Sequence, residues 1–476
     1  MNKQSKCAGV ENSTDNASWV AGEVAGCNFP DARLGKRLTG LLQKLSDKVG
    51  SSVPIACQDW ANTKAAYRFF NNSRVDEQTI LAGHFQSTRD RVHATGGPVL
   101  VLHDTTEFSF MRDQPELVGL SGGSVRRNGQ AVTGKKCGLL MHSSLVLTAG
   151  GLPLGLSAIK FWSRPEKLGT AAQKKIESAR LPIEEKESFR WLGNLQESTK
   201  RLAVPARCVH IGDRESDIYE LFCKAGELDT RFLVRSRFDR RTGQGEQTIA
   251  QEMAQVAVQG LHRIEFRGPQ GQWSSAVLEI RYGRVKVLTP SKKSKDYPDL
   301  ELTVVHAKEC DAPEGRTPIE WKLITNLPVD SPAQAIEKID WYAMRWKIET
   351  FHKILKSGCR SEDSRMETAQ RLTNLIAIYC IVSWRIFWMT MVSRVEPEAS
   401  PSVAFTDLEI EVLDKARPGG RGTPGTLAHY MNKLARLGGY LNRNNDGPPG
   451  PKIFWSGLTR LHDIVFGVQL ANASCG

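Results

Sequence analysis

The stretch Ser331–Ser357, SPAQAIEKIDWYAMRWKIETFHKILKS, sets the reading of the whole chain. It reads as one long helix. Ser331 is a good N-cap, and Pro332 fits the first helical position, where its missing N–H costs nothing. Gly358 stops the helix. Ile336, Ile339, Met344, Ile348, Phe351 and Leu355 recur at helical spacing and form one apolar stripe. On the opposite side, Tyr342, Arg345, Glu349 and Lys356 fall within roughly 60° of each other at about 100° per residue. A carboxylate, two cations and a phenol therefore share one ridge. A plain solvated helix face has the same composition, so the rest of the chain has to decide between the two.

Two other acids stand at strand ends. The apolar run GPVLVLHDTTEFSF carries Asp104, and RCVHIGDRESDIYELFCKAG reads as strand, turn and helix with Asp213 at the end of its strand. Ligand sites in open α/β sheets gather outside strand ends. Each acid also has an ordinary reading. Asp104 can start a turn before Thr105-Thr106, Asp213 can cap the next helix, and Glu349 can pair with Arg345 or Lys353 one turn away. Together the three permit more. Magnesium takes a few carboxylate oxygens plus water and phosphate oxygens. Two such ions about 3.5–4 Å apart clamp an in-line phosphoryl displacement. No P-loop or HExxH occurs, and the histidines are scattered. His103 neighbours Asp104 in a strand and is expected to face the other way.

The 476 residues suffice for two to four domains, and the net charge of +12 points to an anionic partner, nucleic acid first. The ten cysteines include no CxxC pair, which fits a reducing cytoplasm rather than a disulfide framework or a zinc module. The apolar segment Leu372–Val392 is interrupted by Arg385 and reads as a buried core helix, not a membrane span.

Taken in order, residues 1–20 are polar and read as a disordered tail. Residues 21–96 read as a helical DNA-binding domain with helices over 29–49, 60–70 and 76–92. Residues 97–392 read as a mixed-sheet α/β core. Within it come a polar loop carrying Arg126, Arg127, Lys135 and Lys136, a hairpin turn at Ala149-Gly150-Gly151, and a helix over 181–202. The stretch 239–320 reads as an all-β insertion, and IEWKLITNLPV returns to the sheet edge. Residues 393–476 read as a Pro/Gly-rich linker followed by a helical tail.

The spacing Y-x2-R-x3-E-x6-K, with WYAMRWKIETFHKILKSG, HDTTEFSF, GDRESDIY, RFLVRSR, TKAAYRFFNN and LARLGGY in this order, resembles bacterial insertion-sequence transposases of the DDE type. The branch is the one that includes the transposon-five transposase. The resemblance covers nearly the whole chain. It implies an RNase H-like core in which Asp104, Asp213 and Glu349 hold two Mg²⁺, with Mn²⁺ as a possible substitute. It implies that Tyr342, Arg345 and Lys356 grip phosphates at the transposon end, and that Arg235 and Arg237, on one strand face, contact the same end. Trp321 matches a residue that steadies a flipped base. Arg33, Arg37, Lys64, Tyr67 and Arg68 match the module that reads the terminal inverted repeat, and the tail around 434–467 looks like a dimerising segment. The implied activity is cut-and-paste transposition through a hairpin on double-stranded DNA, by a cytoplasmic homodimer with no membrane partner. A nuclease that cuts without joining and a silent DNA-binding regulator are the competing readings.

Overall fold

The apolar run ending at His103-Asp104 forms the central strand, β1 (Val99–Ser109). The computed structural model describes residues 19–127, 130–164, 182–267, 273–419, 421–443 and 446–474. Most of the polar tail lies outside the described residues, as do Leu181 and the side chains of Arg126, Arg127, Lys135 and Lys136.

The backbone of the expected polar loop is a hairpin, in which β2 (Leu120–Arg127) pairs with the first part of β3 (Gln130–Thr148). The later part of β3 runs antiparallel to β1, with Asp104 opposite Ser143. On its other edge it carries β4 (Pro153–Trp162). The turn between them places Gly151 at φ +87°, a conformation that favours glycine. Beyond β1 come β5 (Cys208–Gly212) and β6 (Arg231–Arg235), both parallel to it. The order β4-β3-β1-β5-β6, three antiparallel strands followed by two parallel ones, is an RNase H-like core.

The stretch 239–320 is not a separate β unit. After the short β7 (Arg241–Thr242) and β8 (Gln247–Thr248), its strands β9 (Gly260–Arg267), β10 (Trp273–Val287) and β11 (Leu300–Glu309) join the same sheet. They do so through β12 (Glu320–Thr325), which lies antiparallel on β6. The stretch also contains a helix, Ile249–Gln255, whose Thr248–Gln251 capping box gives it a strong local start.

In chain order the helices are α1 (Trp19–Val24), α2 (Ala32–Asp47), α3 (Val53–Cys57), α4 (Trp60–Phe70), α5 (Glu77–Ala94), α6 (Phe189–Leu202), α7 (Tyr219–Glu227) and α8 (Ile249–Gln255). Then come α9 (Pro332–Ala343), α10 (Trp346–Lys353), α11 (Ala369–Val395), α12 (Asp407–Ala416), α13 (Leu427–Leu437) and α14 (Pro451–Ser474). Helix α6 is shorter than the expected 181–202. The expected linker after 393 holds α12, started by a Thr406–Glu409 capping box. Helix α11 is long and apolar enough to cross a membrane, but it is buried within the fold. The charge of its Arg385 is met by the Ala404 carbonyl at 2.9 Å and by the Trp388 ring at 4.5 Å.

The boundary expected at residue 96 is not a packing boundary. Helices α1 to α5 share one apolar core with the sheet and α11. A buried polar knot adds to it. Glu23 of α1 meets His84 at 2.5 Å and Arg91 at 2.6 Å, and Arg91 donates to the Leu154 carbonyl of β4 at 2.5 Å.

The opening stretch is not one helix. Ser331 caps α9 by accepting from the Gln334 amide, as its sequence requires. The i−4 ladder then fails at Met344-Arg345. The Arg345, Lys347 and Ile348 amides bond three residues back, to Tyr342, Met344 and Arg345. A second irregularity closes α10, where the Cys359 amide reaches the Ile354 carbonyl, one residue beyond α spacing. Neither break has a proline beside it, and the first has no glycine, so tertiary packing sets them.

Candidate active site

The pleat of β1 sends adjacent side chains to opposite faces. His103 goes behind the sheet, 2.8 Å from His210 and 2.9 Å from Ser144, and burial pushes it down to about 3, so it stays neutral. Asp104 goes to the other face. One of its oxygens accepts the Thr105 N–H at 2.9 Å; the other lies 3.8 Å from Arg345 Nη1 and 3.9 Å from His352 Nδ1. Arg345 Nη2 also donates to Glu349 Oε1 at 2.5 Å. The guanidinium therefore stands between two of the three acids. Asp213, just past β5, accepts the Glu215 N–H at 2.9 Å, so it does cap the turn that follows.

Burial raises the Asp104 carboxyl to about 6. Arg345 and the Thr105 amide pull it down, while the charges of Asp213 and Glu349 push it further up. The three acids thus lie in one electrostatic neighbourhood although they come from β1, the end of β5 and α10. Arg345, with its side chain 21% exposed, is the cation that partly offsets them.

The expected ridge is divided. Glu349 is more than half exposed, but Tyr342 is buried and sits on no solvated face. Its ring meets Trp321 edge-on at 5.4 Å, and the charges of Arg345 and Arg235 act on its hydroxyl. Burial raises the phenol above its ordinary value, which keeps the hydroxyl neutral. Lys356 turns back toward β1, donating to the Glu107 carbonyl at 2.8 Å and lying 3.4 Å from Glu362.

Arg235 and Arg237 do not share a strand face, because β6 ends at Arg235 and Arg237 lies beyond it, its amide held by Asp217 at 2.6 Å. Both nevertheless line one cavity of about 220 Å³, together with Arg214, Lys322 and Phe238. Such a cluster of cations suits phosphates. In the N-terminal helices, Lys64, Tyr67 and Arg68 are exposed on α4. Arg33 on α2 is exposed but bonded to Asp31 at 2.9 Å, and Arg37 lies 3.5 Å from Asn62. These helices carry none of the three acids.

Four residues at or near these surfaces escaped the reading of the sequence. Trp346, next to Arg345, is 52% exposed, and Trp60 on α4 is 78% exposed. Only the burial pattern reveals them, since an indole in an amphipathic helix ordinarily reads as core. His352 bonds to Ser143 of β3 at 2.9 Å and so fastens α10 to the sheet. Arg190 of α6 bonds to Thr105 beside Asp104 and to Glu215 beside Asp213.

Residues 16–75 match the family model described as Transposase DNA-binding, and residues 260–385 match the one described as Transposase DDE domain. The second match includes Glu349 and neither aspartate. The two matches support a DNA transposase, and a DDE domain indicates a metal-dependent enzyme that cleaves DNA and transfers strands, with DNA as its partner. The donors fit a divalent cation in kind, being hard carboxylate oxygens. Among the described residues, no three His, Cys, Asp or Glu side chains converge closely enough to hold one ion as they stand. Arg345 occupies the space between Asp104 and Glu349.

Proposed function

We propose that the chain binds the terminal inverted repeats of its own insertion element and moves it by a cut-and-paste route. In this reading Asp104, Asp213 and Glu349 form the catalytic centre. The observation that carries it is that Arg345 bridges Asp104 and Glu349, while the charges of Asp213 and Glu349 both act on Asp104, although the three acids come from separate elements.

The three carboxylates would hold two Mg²⁺, with Mn²⁺ able to replace it; such ions activate the attacking oxygen and stabilise the leaving one. Arg345 moves from the acids to a DNA phosphate, where its fork can bond two oxygens. Lys356 adds a point charge and Tyr342 a neutral hydroxyl donor. Arg235 and Arg237, with Arg214 and Lys322 in the same cavity, hold the strand beside the cut. Trp321 and the exposed Trp346 offer aromatic surface for an unstacked base. Water attacks the end phosphodiester and frees a 3′-OH, which attacks the opposite strand to give a hairpin. Hydrolysis reopens the hairpin, and the same 3′-OH joins target DNA.

Residues 21–96 would read the repeat through Arg33, Arg37, Lys64, Tyr67 and Arg68, and 97–392 would be the catalytic unit. The tail 393–476 would pair two copies into a homodimer. Exposed Ile464, Phe466 and Leu470 on α14 support that last assignment. A cytoplasmic setting fits the buried thiols, which pair with no other cysteine among the described residues.

The test uses DNA carrying the inverted repeats that flank the gene. With Mg²⁺, excision and joined products are expected from the wild type. Alanine at Asp104, Asp213 or Glu349 should abolish cleavage and leave end binding intact. Cleavage persisting in one variant would remove that residue from the centre, and cuts without joined products would make the protein a nuclease.

A further inference from the structure

Both aspartates are held by a backbone N–H from a following residue. Thr105 donates its amide to Asp104 at 2.9 Å, and Glu215 donates its amide to Asp213 at 2.9 Å. The side chains of these two donors meet on one guanidinium. Arg190 Nε donates to Thr105 Oγ1 at 3.0 Å, and Arg190 Nη2 donates to Glu215 Oε2 at 2.6 Å. Nη1 donates to the Glu187 carbonyl at 2.9 Å, anchoring the group to the start of its own helix. The Thr105 hydroxyl, bonded by Arg190, also lies 2.9 Å from Nδ1 of buried His142. Arg190 is itself buried and stands within 6 Å of the rings of Trp162 and Trp191.

We propose that Arg190 is a positioning residue that sets the separation of Asp104 and Asp213 by clamping Thr105 and Glu215. The proposal rests on these two aspartates forming the catalytic centre. β1 and β5 are parallel and bonded only from Val99 to Leu102 on the β1 side, so the strand ladder stops short of Asp104. Beyond that point something else must fix how far apart the two carboxylates lie. A planar fork with donors at fixed angles can do this, whereas a lysine, a single point charge, cannot hold both acceptors in register. Among the described residues the Glu215 carboxylate pairs with Arg190, while its amide serves Asp213. Residues that orient ligands from behind a metal site typically change metal affinity or activity about 10–100-fold when lost.

The test compares Arg190→Gln, Arg190→Lys and Glu215→Gln with the wild type on inverted-repeat DNA. The Glu215 side chain is 58% exposed, so Glu215→Gln keeps the proposal testable if the Arg190 variants fail to fold. Cleavage rate, end binding by gel shift, and Mn²⁺ affinity of the protein–DNA complex by electron paramagnetic resonance are measured for each. We expect Mn²⁺ affinity and cleavage to fall roughly 10-fold or more in all three variants, with end binding unchanged. Arg190→Lys should not rescue, and the effects of Arg190→Gln and Glu215→Gln should not add in the double variant. Wild-type Mn²⁺ affinity in Glu215→Gln, rescue by lysine, or additive effects would overturn the clamp. An Asp104→Ala control that still cuts would overturn the catalytic centre itself, and the clamp with it.

Discussion

Asp104 shows how much a neighbourhood changes one residue. Unfolded, its carboxyl ionises near 3.8; folded, near 6. Between those values the folded state binds more protons than the unfolded one, so stability falls as pH rises from about 4 to 6 and stays lowered above. Asp104→Asn removes this penalty. In chelator it should be more stable than the wild type by roughly 1–3 kcal/mol at pH 8, with the gain gone by pH 4. Thermal melts of both proteins at the two pH values check this, and an equal gap at both would contradict it. Asp213 at a strand end and Glu349 on the helix were legible from periodicity, whereas Asp104, expected to end its strand, stands within β1, which runs on to Ser109. The surroundings of Tyr342 were not legible. Its helical angle puts it on the ridge, but Trp321 of β12 and Arg235 of β6 stand beside it in the fold, and it is buried there. Arg190 was hidden for the same reason, since no local pattern marks an arginine that joins two distant loops.

At the scale of elements, caps and periodicity located the helices and packing reshaped them. Ser331, Thr248 and Thr406 start helices where their side chains can accept amide hydrogens. The break at Met344-Arg345 has no such local cause. Around it, Lys347 is buried and donates to the Gly151 carbonyl at 2.9 Å, which fixes the start of α10 on the β3–β4 turn. A Cβ on Gly151 would meet the Lys347 amine, and φ there is +87°. Gly151→Ala should therefore cost about 1–2 kcal/mol from backbone conformation alone. A lower urea midpoint with an unchanged slope is the expected reading. An unchanged midpoint would show that the turn relaxes freely. The insertion was legible as strands, but which sheet they joined was not. The pairing of Leu323 with Arg235 joins residues nearly ninety positions apart.

At the scale of the molecule, the two ends of the chain meet. His462 of α14 lies 3.4 Å from both Asp47 and Glu409, and Lys48 pairs with Asp463. Burial works to lower the His462 pKa, but the Glu409 bond and the charge of Asp47 outweigh it and raise the group above 6.5. Its contribution to stability is fully present below 6.5 and is lost as pH rises through the raised value. His462→Gln should accordingly lower the melting temperature more at pH 6 than at pH 8; an equal loss at both would exclude a charged His462 at this junction.

The sequence by itself marked Asp104, Asp213 and Glu349 as candidates, put Asp213 at a strand end and Glu349 on a helix, and showed the basic character that goes with DNA and the core nature of Leu372–Val392. Periodicity, capping and charge are local properties, and they survive without knowledge of the fold. Only the tertiary structure decided that the N-terminal helices share the core, that the strands of 239–320 extend the central sheet, and that the long helix breaks. It alone placed Arg345 between Asp104 and Glu349 and Arg190 between the two aspartate loops. Those facts depend on contacts between residues distant in the chain, whose energies outweigh local preference and leave no periodic trace.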